Sequence, residues 1–225
     1  IADVLIIFAG AIVFNLISNS LRKRAKVMLI LLPVLLVSDQ LWAKSSKLLI
    51  LGDSLSAGYG LTQAQSWVSL LQDAWQKSDI SVVNAAISGE TTDGALARLP
   101  RLLDQHTPSH VFVELGGNDG LQGHPIAKMR SNLAKIVELS QSSGATVILQ
   151  EMQIPTNYGR RYTELFTGAY AAVAKDHNVV LLPFFLADIA LNSDLMQADG
   201  IHPNAKAQPI IAESMAQTLK PLVAP

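Results

Sequence analysis

Four short blocks hold side chains that could do chemistry: LGDSLSAGYG at 51–60, AISGETT at 86–92, GGNDG at 116–120 and ADGIHPNA at 198–205. Ser54 follows an apolar run and an aspartate, with glycines close behind. A serine hydroxyl becomes a nucleophile only with a base, a group that orients the base, and donors for the oxyanion. His202 could take the proton. Asp199, three residues earlier, could return to the Nδ1 side of the ring and leave Nε2 toward Ser54. The N–H groups of Ser54 and Gly89 and the amide of Asn118 could meet a developing oxyanion.

Each block also has a plainer reading. Ser54 alone could cap the next helix. Gly89 and Asn118 are ordinary turn residues, and His202 could be a surface histidine at a helix start. Two other chemistries are excluded more firmly. A phosphate loop ends in Gly-Lys-Ser/Thr, and no lysine occurs between Lys47 and Lys77. The Gly-x-Ser-x-Gly elbow of α/β-hydrolases is absent, because Asp53 and Leu55 flank the serine. No second ligand cluster accompanies His202, so no metal site is expected. Of the other histidines, His106 and His110 flank a strand, His124 falls in a loop and His177 ends a helix, where a cation is favoured anyway.

These blocks must be carried by the segments between them. KLLILGD (47–53), ISVVNAA, HVFVELG, ATVILQE and VVLLPF read as buried strands. Helical patterns alternate with them: AQSWVSLLQDAWQK (64–77), TTDGALARLPRLLDQH interrupted at Pro100, IAKMRSNLAKIVELSQSSG closed by Gly144, RRYTELFTGAYAAVAKDHN, and NAKAQPIIAESMAQTLK bent or delayed by Pro209. Pro203 suits a first helical position. Strands alternating with helices predict an α/β domain of three layers around a five-stranded parallel sheet. Ligands then bind beyond the carboxyl ends of the strands, where the polar blocks fall. GLQGHPIA and MQIPTNYGRRY also follow strand ends, and Leu121, Ile154, Pro155 and Tyr158 are expected to wall an apolar groove. Core packing under loops explains them equally well. Arg160 and Arg161 read as a solvated helix start, with contact to a phosphate headgroup as the alternative.

The chain has no cysteine, so disulfides and thiolate chemistry are excluded. Residues 1–43 differ from the rest. A basic stretch at 22–26, an apolar run at 27–37 and a short polar step to Ala43 form the layout of a secretory signal. The run is shorter than the ~20 residues of a membrane span. Cleavage after Ala43 is expected, although Leu41 is large for its position, and an uncleaved anchor is the alternative. Residues 1–20 carry another apolar run and read as upstream sequence ahead of a start at Leu21, or as part of a fragment. The domain of interest is therefore 44–225. Without the four basic and two acidic residues of 1–43 it carries a net charge of −3. It has no basic stripe, and nucleic acid is not an expected partner.

Taken together, GDSLS with Ser54, SGE with Gly89, GGND with Asn118 and DGIHP with Asp199 and His202 resemble the SGNH (GDSL) hydrolases. The likeness runs over about residues 46–223, through VVNAAISGETT, LARLPRLL, VELGGNDGL, NYGRRY and LLPFF. It is strongest to the bacterial multifunctional thioesterase, lysophospholipase and arylesterase group. The resemblance implies a flavodoxin-like fold, periplasmic or secreted residence, no cofactor, and hydrolysis of acyl esters, thioesters and lysophospholipids; a monomer is expected. It makes Ser54 the nucleophile, His202 the base and Asp199 its orienter, with Ser54 N–H, Gly89 N–H and Asn118 as the oxyanion hole. An acyltransferase with the same triad and a catalytically silent lipid-binding protein are the alternatives.

Overall fold

The computed structural model describes residues 45–224. The expected signal sequence at 1–43 lies outside them. Five strands form one wholly parallel sheet: β1 (Ser46–Gly52), β2 (Ile80–Asn84), β3 (His110–Glu114), β4 (Thr146–Gln150) and β5 (Val180–Leu182), in the order β2-β1-β3-β4-β5. This is the flavodoxin-like strand order. Leu48, Leu49, Ile50 and Leu51 are fully buried, so β1 is covered on both faces, as its unbroken apolar run requires.

Five longer helices cover the sheet: α2 (Trp67–Ala74), α3 (Thr92–His106), α5 (Ile126–Ser142), α6 (Arg160–His177) and α7 (Ala207–Val223). α2 packs on α7, while α3 packs on α5 and α5 on α6. The chain steps from β1 to β2 in one direction and from β2 across β1 to β3 in the other. Right-handed crossovers therefore put α2 and α3 on opposite faces. Two one-turn helices, α1 (Ser54–Ala57) and α4 (Gly117–Leu121), stand at the ends of β1 and β3. The strand order reverses at β1, and the crevice between the ends of β1 and β3 is the place this topology offers a ligand.

Two local expectations are corrected, and one element is new. α3 runs without interruption through Pro100. Pro100 is exposed while Leu99 and Leu103 are buried, so its ring sits on the solvent side and the packing of its neighbours holds both halves in line. Pro203 does not begin a helix. It pairs in an isolated bridge with Met196, and α7 starts at Ala207, with Pro209 inside its first turn. α4 was not expected from its glycine-rich sequence. Tertiary bonds hold it: the buried Asp119 carboxylate accepts from Thr92 N–H at 2.8 Å and Thr92 Oγ1 at 2.6 Å. Among the described residues no helix is long and apolar enough to cross a membrane.

Candidate active site

Ser54 is the first residue of α1. Asp53 caps that helix, its Oδ1 accepting Leu55 N–H at 3.0 Å, and Gly58 ends it in a left-handed conformation (φ 75°). The turn leaves the Ser54 side chain half-buried above the carboxyl end of β1. His202 arrives from the loop before α7, with 148 residues of separation, and its Nε2 lies 2.8 Å from Ser54 Oγ. Its Nδ1 lies 2.6 Å from Asp199 Oδ2. Asp199 Oδ1 accepts the N–H groups of Ile201 (2.9 Å) and His202 (3.0 Å). Slight burial pushes the Asp199 carboxyl up, but the hydrogen bonds from His202 and Ile201 outweigh it and hold the group at about 2. The carboxylate is thus charged and aimed at the ring nitrogen remote from the serine.

Ser54, Gly89 and Asn118 border one cavity of about 700 Å³ together with His202. Gly89 has φ 79°, a conformation that favours glycine, and a Cβ built there would meet open space. Among the described residues no acceptor takes the N–H of Ser54 or of Gly89. Asn118 Nδ2 donates to Glu90 O at 3.0 Å and reaches Asp53 Oδ2 at 3.3 Å. Glu90 is tied in turn by Arg98, whose Nε donates to Glu90 Oε2 at 2.7 Å and whose second guanidinium nitrogen donates to Ala85 O at 2.5 Å. The Gly89–Glu90 turn and the Asn118 amide are therefore one braced unit.

The cavity wall is largely apolar. Leu121, Ile154 and Pro155 line it, joined by Met152, Phe184, Leu186, Ala190, Met196 and Ile201. Tyr158 stands outside the wall, its hydroxyl donating to Leu121 O at 2.8 Å and its ring against Tyr162. His124 and Arg160 also lie outside: His124 faces Asp119 at 3.9 Å, and Arg160 is exposed beside Glu164. Phe184 and Leu186 were missed because LLPFFLADIA continues the apolar run of β5 and carries no polar signal.

Glu114, which ends β3, was also missed. It is fully buried, and its Oε2 accepts Ser56 Oγ at 2.7 Å and Asp53 N–H at 3.3 Å. Burial, then the neighbouring Asp53 charge, drives its carboxyl well above the usual range. Burial also raises Asp53, to about 6, while bonds from Leu55 N–H and Glu114 restrain it. Of the pair, Glu114 keeps the proton and Asp53 carries the charge. Both acids bind protons more tightly folded than unfolded. Stability is therefore expected to fall as pH rises from about 4, by up to ~1.4 kcal/mol per pH unit for each proton. Glu114→Gln is expected to flatten that fall, with thermal melts at acid and alkaline pH as the check. A variant whose melting temperature keeps the wild-type slope would show that Glu114 does not hold the proton.

A family model described as GDSL-like lipase/acylhydrolase matches residues 50–209. The arylesterase of Vibrio mimicus is 50% identical over 177 residues, covering 78% of this chain and 88% of that protein. Thioesterase 1/protease 1/lysophospholipase L1 of Escherichia coli K12 is 51% identical over 181 residues, covering 80% and 86% respectively. The crystal structure of the psychrotrophic esterase EstA from Pseudoalteromonas, inhibited by monoethylphosphonate, is 51% identical with a TM-score of 0.77, over 79% of this chain and 98% of that one.

Proposed function

The chain belongs to the GDSL-like lipase/acylhydrolase family and hydrolyses acyl esters and thioesters, and we propose that Ser54, His202 and Asp199 carry that reaction. The observation that supports this most is the unbroken line of hydrogen bonds from Ser54 Oγ through the His202 ring to a charged Asp199. The cycle follows from the geometry. Ser54 Oγ attacks the acyl carbonyl as His202 Nε2 takes its proton. Asp199 keeps the imidazole in the tautomer whose Nε2 is free to accept, and stabilises the cation that forms. The oxyanion meets Ser54 N–H, Gly89 N–H and Asn118 Nδ2, and the longer Asn118 bond, to Asp53, is the one it replaces. The alcohol or thiol leaves with the proton. Water then attacks the acyl-enzyme, again with His202 as base.

The apolar wall favours acyl groups with a hydrocarbon chain, so aryl esters, acyl thioesters and lysophospholipids are the proposed substrates. We further propose export to the periplasm or beyond, with 1–43 removed, and a monomeric enzyme. Three measurements test the reading: intact mass after an active-serine phosphonate, hydrolysis of a p-nitrophenyl ester series, and release of thiol from an acyl-CoA. One phosphonate adduct and turnover in both assays are expected. A folded protein that takes no adduct would overturn it.

Asn118→Ala removes one oxyanion donor and leaves the triad in place. A fall in kcat of about 10²–10³ is expected, with KM little changed, in steady-state ester hydrolysis. A loss under about threefold would remove Asn118 from the oxyanion hole.

A further inference from the structure

Tyr59 lies at the mouth of the cavity, half exposed, with its ring on the His202 imidazole: centroids 4.4 Å apart, planes tilted by 35°. Its backbone ties it to the other half of the site. Tyr59 N–H donates to Ser54 O at 3.1 Å, one residue beyond the left-handed Gly58 that ends α1. Its carbonyl accepts Gln197 Nε2 at 2.8 Å, and the same amide nitrogen reaches Pro203 O at 3.1 Å. Gln197 N–H donates to His202 O at 2.8 Å. Gln197 Oε1 sits against Gly60, where a Cβ would come within 2.5 Å, so a side chain at 60 would push the amide away.

We infer that Tyr59 is a positioning residue for the general base: with Gln197 it clasps the His202 loop to the serine turn, and its ring holds the imidazole in line with Ser54 Oγ. The inference rests on the reading of Ser54 and His202 given above. Within that reading the Ser54–His202 bond joins elements far apart in sequence, and one bond of 2.8 Å does not fix a ring's tilt. Asp199 fixes the Nδ1 edge, and the Tyr59 face fixes the plane. Both half-reactions pass through the imidazolium, which an aromatic face attracts more strongly than the neutral ring. The contribution therefore falls on the chemical steps and not on substrate binding. The Tyr59 hydroxyl has no hydrogen-bond partner among the described residues, so the ring carries the effect.

The test uses steady-state hydrolysis of a short p-nitrophenyl ester by wild type, Tyr59→Ala, Tyr59→Phe and Gln197→Ala, with separate samples of each protein titrated with the phosphonate to count active sites and melted to check folding. Tyr59→Ala is expected to lower kcat by about fivefold to tenfold with KM within about twofold. Tyr59→Phe, which keeps the ring, is expected to restore at least about half of the wild-type kcat. Gln197 does not line the cavity, so it cannot act as a substrate wall; Gln197→Ala should lower kcat by about twofold to fivefold, again without moving KM. A rise in KM at unchanged kcat in Tyr59→Ala would overturn the inference and make Tyr59 a wall residue. Tyr59→Phe as impaired as Tyr59→Ala would overturn the role of the ring. An unchanged kcat in Gln197→Ala would overturn the clasp. If Tyr59→Ala fails to fold, the other two variants decide. A wild-type protein that takes no phosphonate would instead overturn the reading of Ser54, so the two failures are distinguishable.

Discussion

Ser54→Ala is expected to remove turnover, by on the order of 10⁵-fold or more in kcat, while the protein keeps its fold. The size follows from what remains. Without Oγ no acyl-enzyme forms, and His202 has no proton to take from the nucleophile. The oxyanion donors and the cavity stay, and such a remnant retains on the order of 10³–10⁴ over the uncatalysed rate. The fold survives because the Ser54 side chain is half-buried and its described hydrogen bond goes to His202 alone. Losing one exposed-edge hydrogen bond costs about 1 kcal/mol or less, and the Asp53 cap on Leu55 N–H is untouched. Loss of the phosphonate adduct on intact mass, at an unchanged melting temperature, is the check. A variant with a tenth or so of wild-type kcat would deny Ser54 the role of nucleophile.

The strands and most helices were legible because the inner strands of a parallel sheet, buried on both faces, need apolar runs such as those of β1, β3 and β4, and the partly exposed edge strands β2 and β5 are still rich in valine, isoleucine and leucine. The blocks after β1, β2 and β3 were legible for a related reason. Chain at strand ends is free of core packing, so glycine and polar residues there stand out against apolar neighbours. Three things were not legible. α4 has little helical propensity of its own and depends on Asp119 meeting Thr92, a contact between residues distant in sequence. Phe184, Leu186 and Met196 look like core, and only the folded loop turns them to the cavity. Glu114 looks like the last residue of a strand, and nothing in VELGG says that it sits fully buried under Asp53.

That buried pair bears on the choice of the third triad member, because two acids lie near His202. Asp53 spends its oxygens on Leu55 N–H and the Asn118 amide, whereas Asp199 aims one at His202 Nδ1 and braces the loop with the other. The two roles predict different variants. Asp199→Asn keeps the volume and one acceptor but replaces the charged oxygen at Nδ1 with an amide. If that amide is an NH₂, the ring must accept there and carry its proton on Nε2, pointing at Ser54, so it can no longer act as base. A fall in kcat of about 10⁴ is expected, with KM and melting temperature nearly unchanged. Because the Asp199 carboxylate is held down at about 2, it is ionised throughout the working range, and the loss should appear at every pH between about 5 and 8. Asp53→Asn leaves the His202 hydrogen bonds in place and disturbs the serine turn and Asn118 instead. Its loss is expected to stay near that of one oxyanion donor, about 10²–10³. The ratio of the two losses, from steady-state kinetics on one ester, identifies the orienter. A larger loss in Asp53→Asn than in Asp199→Asn would transfer that role to Asp53.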